Sequence, residues 1–203
     1  MENNQIKAIF FDVADVLAVE SFTLGIRQYE YLHNIPSGEL YAAIHDHSYW
    51  KDFSFGRINE TEYLQSVQDN FADQLDINEL KELILAGLLP NDKLIDYLRT
   101  LASRYTLGII SNNPKEWFDY FYDLNKLEEI FKVKAVSGYL GVRKPDQAIF
   151  IEALKMAGVK PTEAIYVDDR EEMTSGAAGL GIRIIVYKGL ENFKSELKKF
   201  NII

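Results

Sequence analysis

The sequence contains no cysteine. That absence excludes disulfides, thiolate metal sites and a cysteine nucleophile, and it is consistent with a reducing, cytoplasmic setting. Positive charge is also short. Lys and Arg number 22 against 31 Asp and Glu, a net charge of -9. A nucleic-acid-binding surface is normally basic, so the deficit argues against a nucleic acid as partner. It does not argue against a phosphorylated ligand, because a local group of cations can override the global sign. Long apolar runs are missing as well. No stretch approaches the ~20 residues needed to cross a membrane. Residues 1–11 lack the long apolar core of a signal peptide, and their apolar run stops at Asp12. Internal repeats and low-complexity tracts are not found. The expectation is a soluble, cytoplasmic protein with neither a membrane nor a nucleic acid as partner.

What is present is a chain of 203 residues, 47% hydrophobic, enough for one large domain or one domain with a small insertion. Five short β-rich runs stand out: Ile6–Phe11, Thr106–Ile110, Val133–Val136, Ala164–Val167 and Ile182–Val186. They are nearly continuous in apolar residues, as strands buried on both faces of a parallel sheet are. Helical spacing separates most of them. Leu94, Ile95, Leu98, Leu101 and Ala102 form one apolar stripe; Ile149, Phe150, Ala153, Leu154 and Ala157 form another, which Gly158 is placed to stop. Alternating helix and strand predicts an α/β fold with right-handed crossovers. One interval breaks the rhythm. About seventy residues without a strand signal follow the first strand, far longer than an ordinary βα loop. They hold helix-like runs at 22–34, 38–47, 59–71 and 78–88, with helix-start patterns at Asn59-Glu60-Thr61-Glu62 and Asp76-Ile77-Asn78-Glu79. The expected organisation is a Rossmann-like parallel core from residues 1–18 and 89–203, with residues 19–88 inserted as an all-helical cap.

Four motifs fall at the ends of the expected strands or in the turn before a helix. The first strand ends in FFDVADVL, which puts Asp12 at the carboxyl edge where open α/β sheets hold ligands. The second ends in IISNN, placing Ser111 and Asn112 before a helix N-terminus that favours anions. GVRKPD puts Lys144 on a proline-flanked turn, and IYVDDR puts Asp168 and Asp169 after the fourth strand. Adjacent acids suit a hard cation such as Mg2+. Singly, each has an ordinary explanation: a loop acid, a helix cap, a surface lysine. Their joint order, Asp then Ser then Lys then Asp-Asp, is the informative feature.

In that order the chain resembles the haloacid-dehalogenase-like hydrolases. The resemblance spans essentially the whole chain, through FFDVADVL, IISNN, GVRKPD and IYVDDREEMTSGAAGLGI, with WKDFSFGRINETEYL in the helical insertion. It is nearest to small sugar-phosphate phosphatases and to the phosphatase domain joined to epoxide hydrolases. It implies that Asp12 is a nucleophile that forms an aspartyl-phosphate. It implies Mg2+ held by Asp12, the Ala14 carbonyl, Asp169 directly and Asp168 through water. Ser111 and the Asn112 backbone would hold phosphate oxygens, and Lys144 would pair with Asp12 and the phosphate. A small phosphorylated metabolite, such as a sugar phosphate, is the implied substrate.

One position departs from the family pattern. Most family phosphatases carry a second Asp two residues after the nucleophile as general acid and base; here Ala14 stands there and Asp15 follows. Such help is typically worth ~10²–10⁴-fold in rate, so a slow phosphatase or a substitute acid is expected. Two alternatives stay open: a metal-independent 2-haloacid dehalogenase, and a catalytically degenerate protein that binds a phosphorylated ligand or a partner. In the cap, His45, His47, Tyr49, Trp50 and Arg57 are candidates to touch a substrate, although tyrosine and tryptophan at helical spacing usually pack a core.

Overall fold

The computed structural model describes residues 5–20, 22–45, 48–71, 75–200 and 202. Among the described residues, seven strands run β1 Ala8–Phe11, β2 Ala18–Glu20, β3 Leu89–Pro90, β4 Thr106–Ser111, β5 Phe131–Val136, β6 Ala164–Asp168 and β7 Arg183–Val186. Among the same residues, eleven helices accompany them: α1 Thr23–Leu32, α2 Glu39–His45, α3 Ser48–Ser54, α4 Glu60–Asn70, α5 Ile77–Ala86, α6 Asp92–Leu101, α7 Lys115–Leu124, α8 Ser137–Leu140, α9 Gln147–Ala157, α10 Ser175–Leu180 and α11 Leu190–Lys199. Among the described residues, no helix is long and apolar enough to cross a membrane.

Five strands form one parallel sheet in the order β5-β4-β1-β6-β7. The apolar runs of the sequence become its strands because both faces are covered. Ile9, Phe11, Ile109, Ile165 and Val167 enter one core, while Ala8, Phe10, Ile110 and Tyr166 enter the other. The chain builds outward from β1 through β4 to β5, then returns to place β6 and β7 on the opposite side. That reversal makes the carboxyl end of β1 a topological switch point, the place where such sheets bind ligands. The expected α/β class, a parallel core with an all-helical insertion, is what the chain adopts.

β1 leaves the sheet through a wide turn over Val13–Leu17, where Asp15 takes a left-handed backbone with φ 56°. Aspartate tolerates that region better than most side chains. The turn delivers β2, which pairs antiparallel with β3, and α1 to α5 lie between these two short strands. This strand pair carried no sequence signal, since strands of three and two residues are too short to show alternation. Asn59 caps α4 through a reciprocal box with Glu62, and Asp76 caps α5, as their sequence patterns predict. The run expected over 38–47 is helical through His45; residues 46 and 47, including His47, lie outside the described residues.

The inserted helices sit on the core through an aromatic cluster. Trp117 of α7 is buried, with the rings of Phe22, Phe53, Trp50 and Tyr63 at 5.1, 5.3, 5.9 and 6.3 Å. Its indole N–H donates to Glu60 Oε1 at 2.8 Å, and Lys81 pairs with the other Glu60 oxygen. A Cβ on Gly56 would lie 2.1 Å from the Gly138 carbonyl oxygen, so cap and core backbones touch there as only glycine allows. Trp50 therefore serves packing. His45 stacks on Phe22 at 4.9 Å, and Arg57 pairs with Asp52 at 2.9 Å; Tyr49 is partly exposed.

Candidate active site at the carboxyl edge of the sheet

β4, β1 and β6 are neighbours, and their last residues bring Ser111, Asp12 and Asp168 together. The register pairs Phe11 with both Ile109 and Val167, and the Asp12 N–H donates to the Val167 carbonyl at 2.9 Å. Lys144 reaches the same point from the turn before α9. Its Nζ lies 2.8 Å from Asp12 Oδ2 and 2.8 Å from Asp168 Oδ2. The three residues are no more than 2% exposed. The turn that carries Lys144 is held from two sides. Asn112 accepts the Lys144 N–H at 2.8 Å and donates to the Lys144 carbonyl at 3.0 Å. On the other side, a Cβ on Gly176 would fall 2.0 Å from the Pro145 carbonyl oxygen, so α10 packs directly on the turn. The Asn112 side chain is thus committed to the lysine loop.

The acceptor sites can be counted oxygen by oxygen. Asp12 Oδ1 accepts the Val13 N–H at 2.7 Å and the Ser111 hydroxyl at 2.8 Å, while Oδ2 accepts Lys144. Ser111 Oγ also lies 2.8 Å from Asn113 Oδ1. One hydroxyl proton serves one acceptor at a time, and the carboxylate is the stronger. Asp168 Oδ2 accepts Lys144 and also the buried hydroxyl of Tyr166, and Oδ1 accepts the Arg170 N–H at 2.9 Å. Oδ2 is therefore filled, and Oδ1 keeps one lone pair. Tyr166 is the participant that the sequence reading passed over. The signal was available: residues two apart on a strand share a face, so a tyrosine two before Asp168 must point the same way.

Asp12, Asp168 and Asp169 offer carboxylate oxygens that all lie within 4.8 Å of one another. An all-oxygen set of this kind fits Mg2+. Asp168 is well compensated. Burial would raise its carboxyl, but the Lys144 charge and hydrogen bonds from Lys144, Tyr166 and the Arg170 N–H bring it below the ordinary carboxylate value. Asp169 is half-buried and has no such donor among the described residues. Burial first, then the charges of Asp168, Asp12 and Asp15, push its carboxyl up to about 6. Burial, Asp12 and Asp168 together hold the Tyr166 phenol well above its usual value, so it stays a donor.

The Asp169 shift carries a stability consequence. Its folded-state value lies above the unfolded value of about 3.9, so the folded protein binds the proton more tightly. The stabilisation is complete below about pH 4 and is lost as pH rises through about 6. Metal-free Asp169→Asn is expected to be more stable than wild type at pH 8, by about 1–3 kcal/mol, and equal to it near pH 4. Urea unfolding at the two pH values measures this; a variant less stable at pH 8 would contradict it.

The model of a haloacid dehalogenase-like hydrolase matches residues 6–181. Flavin mononucleotide hydrolase 1 of Arabidopsis thaliana chloroplasts is 25% identical over 96% of this chain and 77% of its own length. Glyceraldehyde 3-phosphate phosphatase of Pyrococcus furiosus is 27% identical over 91% of this chain and 81% of its own. Among solved structures, a HAD family enzyme from Bacteroides thetaiotaomicron, in complex with magnesium and inorganic phosphate, superposes with a TM-score of 0.75 at 20% identity. The match covers 90% of this chain and 94% of that one. With the fold, the strand-end geometry and a match over most of its length in agreement, the chain belongs to the haloacid dehalogenase-like hydrolases.

Proposed function

We propose that this protein is a Mg2+-dependent hydrolase of small phosphate monoesters that works through an aspartyl-phosphate on Asp12. The observation that carries the reading is the convergence of Asp12, Asp168 and Asp169 around buried Lys144. One lysine cannot balance three carboxylates, so a further cation is electrostatically called for. Relatives that hydrolyse flavin mononucleotide and glyceraldehyde 3-phosphate support a small phosphorylated substrate. The acid pair Asp168-Asp169 favours phosphoryl chemistry over metal-independent dehalogenation, which has no use for it.

In this reading Asp12, Asp168, Asp169 and the Ala14 carbonyl would hold Mg2+. Asp168 can offer the single lone pair left on Oδ1. The ion would screen repulsion between carboxylate and phosphate and stabilise charge in the transition state. The chain's own groups do the rest. When a phosphate oxygen takes the Ser111 hydroxyl, Asp12 Oδ1 regains a lone pair. The carboxylate attacks phosphorus, the bond to the ester oxygen breaks, and the leaving oxygen needs a proton. Water then hydrolyses the acyl phosphate and regenerates Asp12. Lys144 holds Asp12 aligned, and donates to the phosphate. The inserted helices exclude bulk water and set specificity, as lids do.

Ala14 supplies no proton at either step. The expected result is a leaving-group bias: p-nitrophenyl phosphate, whose alcohol needs no proton at neutral pH, is turned over faster than an alkyl phosphate. Ala14→Asp is expected to raise the rate on alkyl phosphates by roughly 10²-fold, with a smaller gain on the aryl ester. Phosphate release with Mg2+, and with a chelator added, measures both the bias and the metal requirement. No turnover across a broad ester panel with Mg2+ would overturn the proposal. Chelator-insensitive halide release from a 2-haloacid would favour dehalogenation instead.

A further inference from the structure

Arg143 precedes the catalytic-site lysine and lies half-buried where cap meets core. In a chain with an excess of acids, its side chain makes no ion pair among the described residues. Its protein acceptor is a neutral hydroxyl, Ser54 Oγ, at 3.1 Å. Ser54 is fully buried, and its own hydroxyl donates to the Lys51 carbonyl. The Arg143 guanidinium also lies 5.8 Å from the centre of the Phe55 ring, which Arg57 approaches at 4.7 Å. Burial, and then the charge of Arg170, lower the Arg143 value, so a like charge stands near it rather than an opposite one. Arg170 is exposed, directly follows Asp169, and likewise makes no ion pair among the described residues.

This cation is tied to the phosphate-facing loop. The Ser54 carbonyl accepts the Ser137 hydroxyl at 2.6 Å, and Ser137 Oγ lies 3.3 Å from the Asn113 carbonyl oxygen. Asn113 in turn touches Ser111. Arg143 is therefore fixed at the cap–core seam beside the site, with Ser54 its one hydrogen-bond acceptor among the described residues. Removing a cation from water without a counter-charge is costly, and two arginines near each other add to that cost. A bound anion would relieve both.

We propose that Arg143, with Arg170 adding its charge, forms a second anion subsite at the cap–core seam. The preferred substrate is then a phosphate ester bearing a further acidic group, a carboxylate or a second phosphate. The inference rests on the phosphatase reading, since it takes the first phosphate to sit at Asp12.

The test compares matched esters on one carbon skeleton: a neutral phosphomonoester, its carboxylated analogue and its bisphosphorylated analogue. The ratio of kcat/KM for acidic over neutral esters is measured with Mg2+ in wild type, Arg143→Gln and Arg143→Lys. Wild type is expected to prefer an acidic ester at least tenfold. Arg143→Gln is expected to remove tenfold or more of that preference, through KM, and Arg143→Lys to keep part of it. Whichever acidic arm loses more identifies the second group. The same esters are titrated by calorimetry into Asp12→Asn with and without Arg143→Gln, which reads the subsite without turnover. A preference unchanged within twofold in both assays overturns the subsite and leaves the phosphatase reading standing. Arg143-dependent binding with no turnover by wild type would do the reverse.

Discussion

Lys144→Met is expected to destabilise the protein by about 3–5 kcal/mol, the usual cost of removing one partner from a buried ion pair. The lysine side chain is 0% exposed and is the shared partner of Asp12 and Asp168, whose side chains are 3% and 0% exposed. Methionine keeps much of the volume, so a packing defect contributes little. What remains is two carboxylates buried without their cation. Asp168 would keep its bonds from Tyr166 and the Arg170 N–H, and Asp12 those from Val13 and Ser111. Those donors soften the charge but do not balance it. For a chain of this length the loss corresponds to roughly 6–20 °C in Tm. Adding Asp168→Asn to Lys144→Met is expected to recover part of it, because the double variant has one fewer uncompensated charge. Urea unfolding of the four combinations forms a double-mutant cycle. Strict additivity would show that the pair does not act as a unit.

Asp12→Asn is expected to have the larger effect on activity and a small one on stability. An amide cannot attack phosphorus, so the covalent route closes, and the rate is expected to fall on the order of 10⁴-fold or more. The fold should tolerate the change. Asparagine retains an oxygen for the Val13 N–H, and Lys144 still pairs with Asp168 at 2.8 Å. Burst-phase phosphate assays and unfolding curves on the same preparation separate the two quantities. Activity within tenfold of wild type would exclude Asp12 as the nucleophile. An unfolded Asp12→Asn protein would instead show that its charge is needed to hold Lys144 in place.

The sheet was legible because strands covered on both faces have no polar face to interrupt them. That is why Ile6–Phe11 and Ala164–Val167 read as apolar runs. Helix starts were legible where a side chain satisfies the first free N–H groups, at Asn59 and Asp76. The β2–β3 strand pair, and α3 as a separate helix, were not. Their pairing and boundaries depend on contacts between residues distant in the chain. Trp117 is the same kind of case: its role as the centre of a cap–core aromatic cluster requires four rings from three other segments.

By itself the sequence determined the order of chemistry along the chain, with Asp12, Ser111, Lys144 and the Asp168-Asp169 pair each placed at a strand end or before a helix. It did so because local periodicity and turn chemistry are properties of neighbouring residues. Only the tertiary structure decided which oxygen faces which donor. It filled Asp168 Oδ2 with Lys144 and Tyr166, committed the Asn112 side chain to the lysine turn, crowded Asp169 with other carboxylates and set Arg143 at the seam with no ion pair among the described residues. Charge balance in a buried site depends on distances between residues up to 156 positions apart, from Asp12 to Asp168, and these exist only once the sheet has aligned its strand ends.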